Sequence, residues 1–201
     1  MNLPTLTIFV PNLNHSRHLP VCVSSVITQS VLPTELILLD DGSSDDSLAV
    51  METLARQNSV VKVHRNERNL GVIASLNRGL ELASGDYFMG LAADDSLLPG
   101  VVEKMLQLLA LHPQAAFCGA ITRFRDEGAG LEYLYGAKVA DRACFLSPEA
   151  MVQLSRAGRM LMFATPMMVK RRQILANGGY YPELKWCTDW FAAWTAGYQS
   201  G

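Results

Sequence analysis

The chain has 201 residues, of which 49% are apolar and 18% charged, with 17 Lys plus Arg against 19 Asp plus Glu for a formal net charge of −2. At roughly 150 residues per domain this reads as one domain with enough apolar residues for a sizeable core. Its charge lies below the usual ~25%, which excludes a disordered tail protein. No basic excess marks it for general nucleic-acid binding. Cys22, Cys118, Cys144 and Cys187 form no C-x-x-C pair, so zinc-ribbon and thioredoxin-type motifs are absent. They read as small apolar residues in a reducing compartment. Met1 to Thr5 lacks the basic and apolar regions of a signal peptide, and no run of ~20 apolar residues spans a membrane. The expected location is the cytoplasm.

Short apolar runs alternate with helix-length amphipathic segments. Strands are expected at 6–10, ending at Pro11, at 36–39, 60–64 and 87–91, and over 115–122. Helices are expected at 19–29, with Val21, Val23, Val26 and Ile27 as its apolar face, and at 47–57, 73–83 and 100–112. Arg123 to Asp141 carries three glycines and reads as a loop with a short strand. Ser147 and Pro148 open a further helix. A strand at 165–169, a short helix at 170–175 ended by Asn177-Gly178-Gly179, and a last helix at 189–196 capped by Gly197 complete the chain. This alternation predicts an α/β layered fold with a mainly parallel sheet.

In such sheets ligands bind beyond the carboxyl ends of the strands. The segments there are Pro11-Asn12-Leu13-Asn14, Asp40-Asp41-Gly42-Ser43, Asn66 to Gly71, and Ala92-Ala93-Asp94-Asp95. Two carboxylate pairs on one edge point to a divalent cation, because Mg²⁺ and Mn²⁺ take oxygen ligands. Each pair also reads as a turn leading into a helix start. There is no G-x-x-x-x-G-K-[ST], no G-x-G-x-x-G after the first strand and no G-x-S-x-G. P-loop, dinucleotide-binding and hydrolase readings therefore lack support.

Val10-Pro11-Asn12-Leu13-Asn14, Leu39-Asp40-Asp41-Gly42-Ser43-Ser44-Asp45, Asn69-Leu70-Gly71, Asn77-Arg78-Gly79, Gly85-Asp86-Tyr87, Leu91-Ala92-Ala93-Asp94-Asp95, Gly178-Gly179-Tyr180-Tyr181 and Thr188-Asp189-Trp190 follow one another in this order. The series resembles the family 2 glycosyltransferases of GT-A fold over nearly the whole chain. The resemblance implies a GT-A-type, Rossmann-like three-layer sandwich with helices on both faces of the sheet. It implies one domain over 1–201, with 1–122 as the donor-binding half and 123–201 as the acceptor and catalytic-base half. Family members usually run on beyond the last helix, so the expectation is a chain cut short at its C-terminus.

The resemblance also implies an inverting transfer from a nucleotide-diphosphate sugar, a UDP-sugar first, to the hydroxyl of a carbohydrate or lipid-linked acceptor. The pathways implied are those of polysaccharide and other glycoconjugate synthesis. By position, Asp41 would read the base, since a carboxylate accepts from an imide N–H. Pro11, Leu13 and Asn14 would line the base pocket, and Gly71, Asn77, Asp94 and Asp95 would complete the donor site. Asp94 would be the metal contact for Mg²⁺ or Mn²⁺, and Asp189 the catalytic base. Four positions depart from the family pattern: Leu13 stands where many members have Tyr, Leu76 where they have Arg, Ala92 where the metal triplet has its first Asp, and Thr188 where Glu precedes the base. Two rival readings are a degenerate donor-binding domain without turnover and a sugar-phosphate nucleotidyltransferase.

Arg78 reads as a solvated surface charge, and Lys170-Arg171-Arg172 as a solvated helix start with diphosphate or membrane contact as the alternative. Met160, Met162, Met167 and Met168 cluster with Leu161 and Phe163 as core or as a wall facing acceptor or membrane. The partners expected are thus donor and acceptor, no nucleic acid, and a peripheral contact at the inner face of the membrane.

Overall fold

The computed structural model describes residues 2–126, 128–135, 142–159 and 167–201. Its elements are β1 (Leu6–Asn12), α1 (Leu19–Ile27), β2 (Glu35–Asp40), α2 (Ser47–Gln57), β3 (Val61–Arg65), α3 (Val72–Leu82), β4 (Tyr87–Gly90), α4 (Val101–Leu111), β5 (Phe117–Gly119), β6 (Thr122–Asp126), β7 (Leu131–Tyr135), α5 (Pro148–Arg156), β8 (Met167–Lys170), α6 (Arg171–Ala176) and α7 (Thr188–Ser200), with a 3₁₀ turn at Pro182–Cys187. Six strands form one sheet in the order β3-β2-β1-β4-β8-β5. β1 pairs parallel with β2 and β4, and β2 parallel with β3. β8 enters antiparallel between β4 and β5.

β1 and β2 are buried almost throughout, as strands covered on both faces must be. Their side chains alternate between two cores. Leu6, Ile8, Val10, Leu36 and Leu38 join residues of α1 and α4 on one face. Phe9, Ile37 and Leu39 join Leu80 of α3, Ile174 of α6 and Ala192, Ala193 and Ala196 of α7 on the other. The three-layer α/β architecture expected from the sequence is therefore present.

β1 runs past Pro11 rather than ending there. Phe9 O accepts from Leu91 N and Asn12 O from Asp41 N, so odd residues of β1 turn their polar groups toward β4 and even ones toward β2. The last β1–β4 pair is Phe9 with Gly90, so Pro11, which has no N–H to give, stands just past the end of that ladder.

Several expectations change. The buried stripe of α1 is Leu19, Cys22, Val23 and Val26 at helical spacing; Val21 is 65% exposed. The run 115–122 divides between β5 and β6, and the predicted loop after it holds the antiparallel β6–β7 hairpin before residues 136–141, which lie outside the described residues. Gly197 does not end the last helix. A Cβ there would lie 2.7 Å from Met151 Cε and Phe117 Cε1, so this glycine serves close packing of α7 and the helix continues to Ser200. Of the methionine cluster, residues 160–163 lie outside the described residues, and Met168 is buried in β8.

The amino edge of the sheet is pinned by Glu35, 1% exposed. It accepts from Thr7 Oγ1 (2.8 Å), Lys62 Nζ (2.5 Å) and the N and Oγ of Ser84 (both 2.7 Å). Burial alone would raise its pKa, but these donors, Lys62 foremost, carry it down to about 2. A carboxyl depressed in the fold contributes stability above its unfolded pKa, and that contribution fades as pH falls toward the folded value. Glu35→Gln should lower the free energy of unfolding at pH 7 by about 2 kcal/mol. The gap to the parent should close between about pH 5 and pH 2 in urea titrations; equal midpoints at pH 7 would refute the role.

Candidate active site

The parallel strands deliver the motif segments to one edge. Asp41 follows β2 and is 4% exposed. Its Oδ1 accepts from Asn66 Nδ2 (2.6 Å) and Leu70 N (2.9 Å), and its Oδ2 from Gly71 N (2.9 Å). One side chain thus fixes the path of the chain from β3 to α3. Gly42, at φ +78, lets this loop approach: a Cβ there would lie 2.7 Å from Asn69 N and 2.8 Å from Arg68 C. Asn66 is itself held by Ser75 Oγ and by Arg78, which donates to its Oδ1 and to Arg65 O. Arg78, expected as a solvated charge, is half-buried and structural.

The loop after β1 is tied to the same turn. Asn14 adopts φ +60, donates its N–H to Ser43 Oγ (2.9 Å), and accepts at Oδ1 from Ser44 N (2.8 Å) and Asp45 N (3.3 Å). Pro11 and Leu13 beside it are half-buried. Asn14, Asp41 and Gly71 therefore belong to a hydrogen-bonded frame, in which Asn14 braces the loop that carries Pro11 and Leu13.

Asp94 and Asp95 lie in the turn beyond β4, closed by Asp95 N on Ala92 O (3.0 Å). Both residues are exposed. Partial desolvation, then the charge of Asp94, raises the Asp95 pKa above the ordinary carboxylate value. Cys22 of α1 donates to Ala92 O (3.6 Å) beneath the turn, and its thiol is pushed up to about 12 by burial and then by the two carboxylates. The turn is a concentration of negative charge. Among the described residues no group of three or more His, Cys, Asp or Glu is arranged around a common cation position. The donor set fits Mg²⁺ or Mn²⁺ only as a partial shell of one or two carboxylates, to be completed by ligand oxygens.

Asp189 comes to this edge from the other end of the chain. α7 finishes with Gly201 O accepting from Ala116 N at the start of β5, so its first turn lies toward the carboxyl edge. Asp189 is half-buried and accepts from Trp190 N (2.8 Å). Burial raises its pKa, against the helix N–H groups that lower it. Tyr180 packs near it, 6% exposed, its hydroxyl shifted upward by burial and then by the Asp189 charge. Asn77 anchors this segment: its Nδ2 donates to Tyr180 O and its Oδ1 accepts from Tyr180 N, both at 2.8 Å. The Asn77 amide, expected to face donor, is thus engaged with backbone 103 residues away.

The model of glycosyl transferase family 2 matches residues 7–177. The chain belongs to glycosyl transferase family 2. An uncharacterized glycosyltransferase of Haemophilus influenzae is 36% identical over 124 residues, covering 59% of this chain and 50% of that protein. The uncharacterized glycosyltransferase YibD of Escherichia coli is 25% identical over 192 residues, covering 92% of this chain and 55% of YibD. The chain spans about half the length of these curated relatives. In structure it is similar to S. aureus TarS 1–349, with a TM-score of 0.76 at 18% identity over 96% of this chain and 55% of that 1–349 chain. It is also similar to the mannosyltransferase PcManGT of Pyrobaculum calidifontis, solved with GDP-Man and Mn²⁺, with a TM-score of 0.69 at 15% identity over 94% of this chain and 51% of that one. At these identities the likeness shows the fold.

Sequence reading missed Asn66 as a partner of Asp41 and Tyr180 as a neighbour of Asp189. Asn66 stands in a flagged segment after β3, so position offered a signal; Tyr180 offered none beyond its motif. Asn77→Ala removes both bonds to Tyr180 and should cost about 2 kcal/mol of stability. Amide hydrogen exchange should quicken at Tyr180 while β1 and β2 keep their protection; unchanged exchange at Tyr180 would show that the clamp carries no load.

Proposed function

We propose that this chain carries the donor site and catalytic base of an inverting glycosyltransferase acting in glycoconjugate synthesis. The observation that carries the reading is the convergence of Asp41, Asp94–Asp95 and Asp189 on the carboxyl edge of one sheet, from three separate stretches of sequence. The donor is a nucleotide-diphosphate sugar. TarS has been solved with UDP and with UDP-GlcNAc, and PcManGT with GDP-Man, which supports this class and makes UDP-sugars the first to test.

In this reading Asp41 has both oxygens anchored by loop donors and keeps lone-pair capacity for one N–H of the base. Pro11 and Leu13 offer apolar surface to its ring. Asp94, with Asp95 behind it, would hold Mg²⁺ or Mn²⁺, which when bound offsets charge on the diphosphate. Asp189 accepts the proton of the acceptor hydroxyl. The acceptor oxygen bonds to the anomeric carbon from the face opposite the diphosphate, and the anomeric C–O bond breaks with its electron pair leaving on the nucleoside diphosphate. One displacement inverts the centre. The acceptor is a carbohydrate or lipid-linked hydroxyl, reached in the cytoplasm or at the inner face of the membrane.

Calorimetric titration with UDP, GDP and dTDP, each with Mn²⁺ and with chelator, tests the donor site. Asp94→Ala should weaken the metal-dependent binding at least about tenfold, or 1.4 kcal/mol. No nucleotide bound by a folded sample would refute the site. For turnover, Asp189→Asn should leave donor binding intact and lower kcat by about 10²- to 10⁴-fold. Because burial raises the Asp189 pKa, the acidic limb of the parent's kcat profile should lie above the ordinary carboxylate range, near 3.9, with activity lost as pH falls through it. A limb at the ordinary value would remove Asp189 from the role.

A further inference from the structure

The edge of the sheet opposite the proposed donor site holds a cavity of about 500 Å³, a size typical of small-ligand sites. It lies where β4 begins and β8 ends, and its lining includes Leu3, Asp86, Leu109, Pro113, Lys170 and Arg172. Three consecutive cations, Lys170, Arg171 and Arg172, meet one carboxylate there. On a chain whose net charge is −2, this corner is locally positive.

The protein's own groups neutralise that charge only in part. Arg171 turns its Nε onto Leu80 O (2.7 Å), at the end of α3. Lys170 donates to Pro113 O (2.6 Å), just beyond α4. These are carbonyls rather than carboxylates. Among the described residues no carboxylate lies within ion-pair distance of any of the three cations. Asp86 feels the charge of Arg172, but its Oδ2 is taken by the N (3.0 Å) and Oγ1 (2.7 Å) of Thr5. Lys170 has its pKa lowered by burial and by the charge of Arg172, so the two cations repel within the same cavity. An anion between them would relieve that repulsion, and Arg172, exposed at the start of α6, can turn toward it.

The geometry points to a binding site for a phosphate-bearing ligand in this cavity, with Lys170 and Arg172 on the phosphate and Leu3, Leu109 and Pro113 against its apolar part. Phosphate suits two cations two residues apart, one ending β8 and the other in the first turn of α6, because it presents several acceptor oxygens at once. A free phosphomonoester and the headgroup of an anionic lipid share this chemistry. The site is separate from the donor edge and does not depend on the glycosyltransferase reading.

The test titrates inorganic phosphate and glycerol 3-phosphate into the whole chain in the presence of chelator. In parallel, the chain is sedimented with phosphatidylglycerol vesicles and with phosphatidylcholine vesicles. The variants are Arg172→Glu and Lys170→Gln, with Asp94→Ala to report any phosphate held at the donor edge. Arg172→Gln keeps the test open should the charge reversal fail to fold. The expected result is binding that weakens at least about tenfold in the Arg172 and Lys170 variants and persists in Asp94→Ala. Binding of the soluble phosphates assigns a free ligand; sedimentation with phosphatidylglycerol alone assigns a lipid headgroup. No binding in either format, or binding equal in parent and Arg172 variants, overturns the proposal.

Discussion

β2 carries a buried carboxylate at each end, and a charge removed from water must be met by donors or be neutralised. At the amino end Glu35 gathers Thr7 from β1, Lys62 from β3 and Ser84 from the approach to β4. At the carboxyl end Asp41 gathers Asn66 and the backbone of Leu70 and Gly71. Between them run four aliphatic residues with no exposure at all and then Asp40, itself buried. A continuous aliphatic run buried on both faces has no polar face to set its register, and here the two polar ends fix it. A slip of one residue would strand both charges.

The second constraint is long range. The apolar faces of α3, α6 and α7 share one core, but apolar contact is non-directional and does not set where the first turn of α7 points. The Asn77–Tyr180 pair supplies direction, since an amide bonded to both polar groups of one residue fixes its orientation. Gly179 makes the approach possible: a Cβ there would lie 2.6 Å from Asn77 Oδ1. A polar clamp inside an apolar layer thereby carries Asp189 to the edge where the carboxylates of β2 and β4 already stand. The half-buried setting of Asp189 and its raised pKa follow from that placement.

The first half of the fold was legible in the sequence because its signals are local. Runs as short as Leu36 to Leu39, bounded by turn residues, read as two-sided strands, and Gly, Pro and Asp mark the turns between them. The second half was less legible because its decisive events are tertiary. Nothing in Met167 to Lys170 says that it will enter antiparallel between β4 and β5. Nothing local separates a glycine that ends a helix from Gly197, which lets α7 press on Met151. The candidate site divides in the same way. Its edge followed from topology, since residues after parallel strands share an end. The partners did not: the donors on Asp41 lie 25 to 30 residues away, and Arg78 is structural only because Asn66 stands within its reach.

The carboxylates of the acidic edge differ in one physical respect that bears on their roles. Asp41 already accepts three hydrogen bonds from the protein and belongs to the frame, with one acceptor position left over. Asp94 and Asp95 receive no side-chain or backbone donor among the described residues, and Asp95 is raised in pKa by partial desolvation and then by the charge of Asp94, with no partner to lower it. Two adjacent carboxylates without donors remain in mutual repulsion unless a cation or water answers them. The fold answers Asp41 with neutral amides and Glu35 with Lys62 and hydroxyls, and leaves this pair unanswered in an exposed turn. In the proposed reading that is the arrangement a diphosphate–metal complex needs. The ligand brings the positive charge with it, and the protein spends its own donors on keeping the pocket in shape.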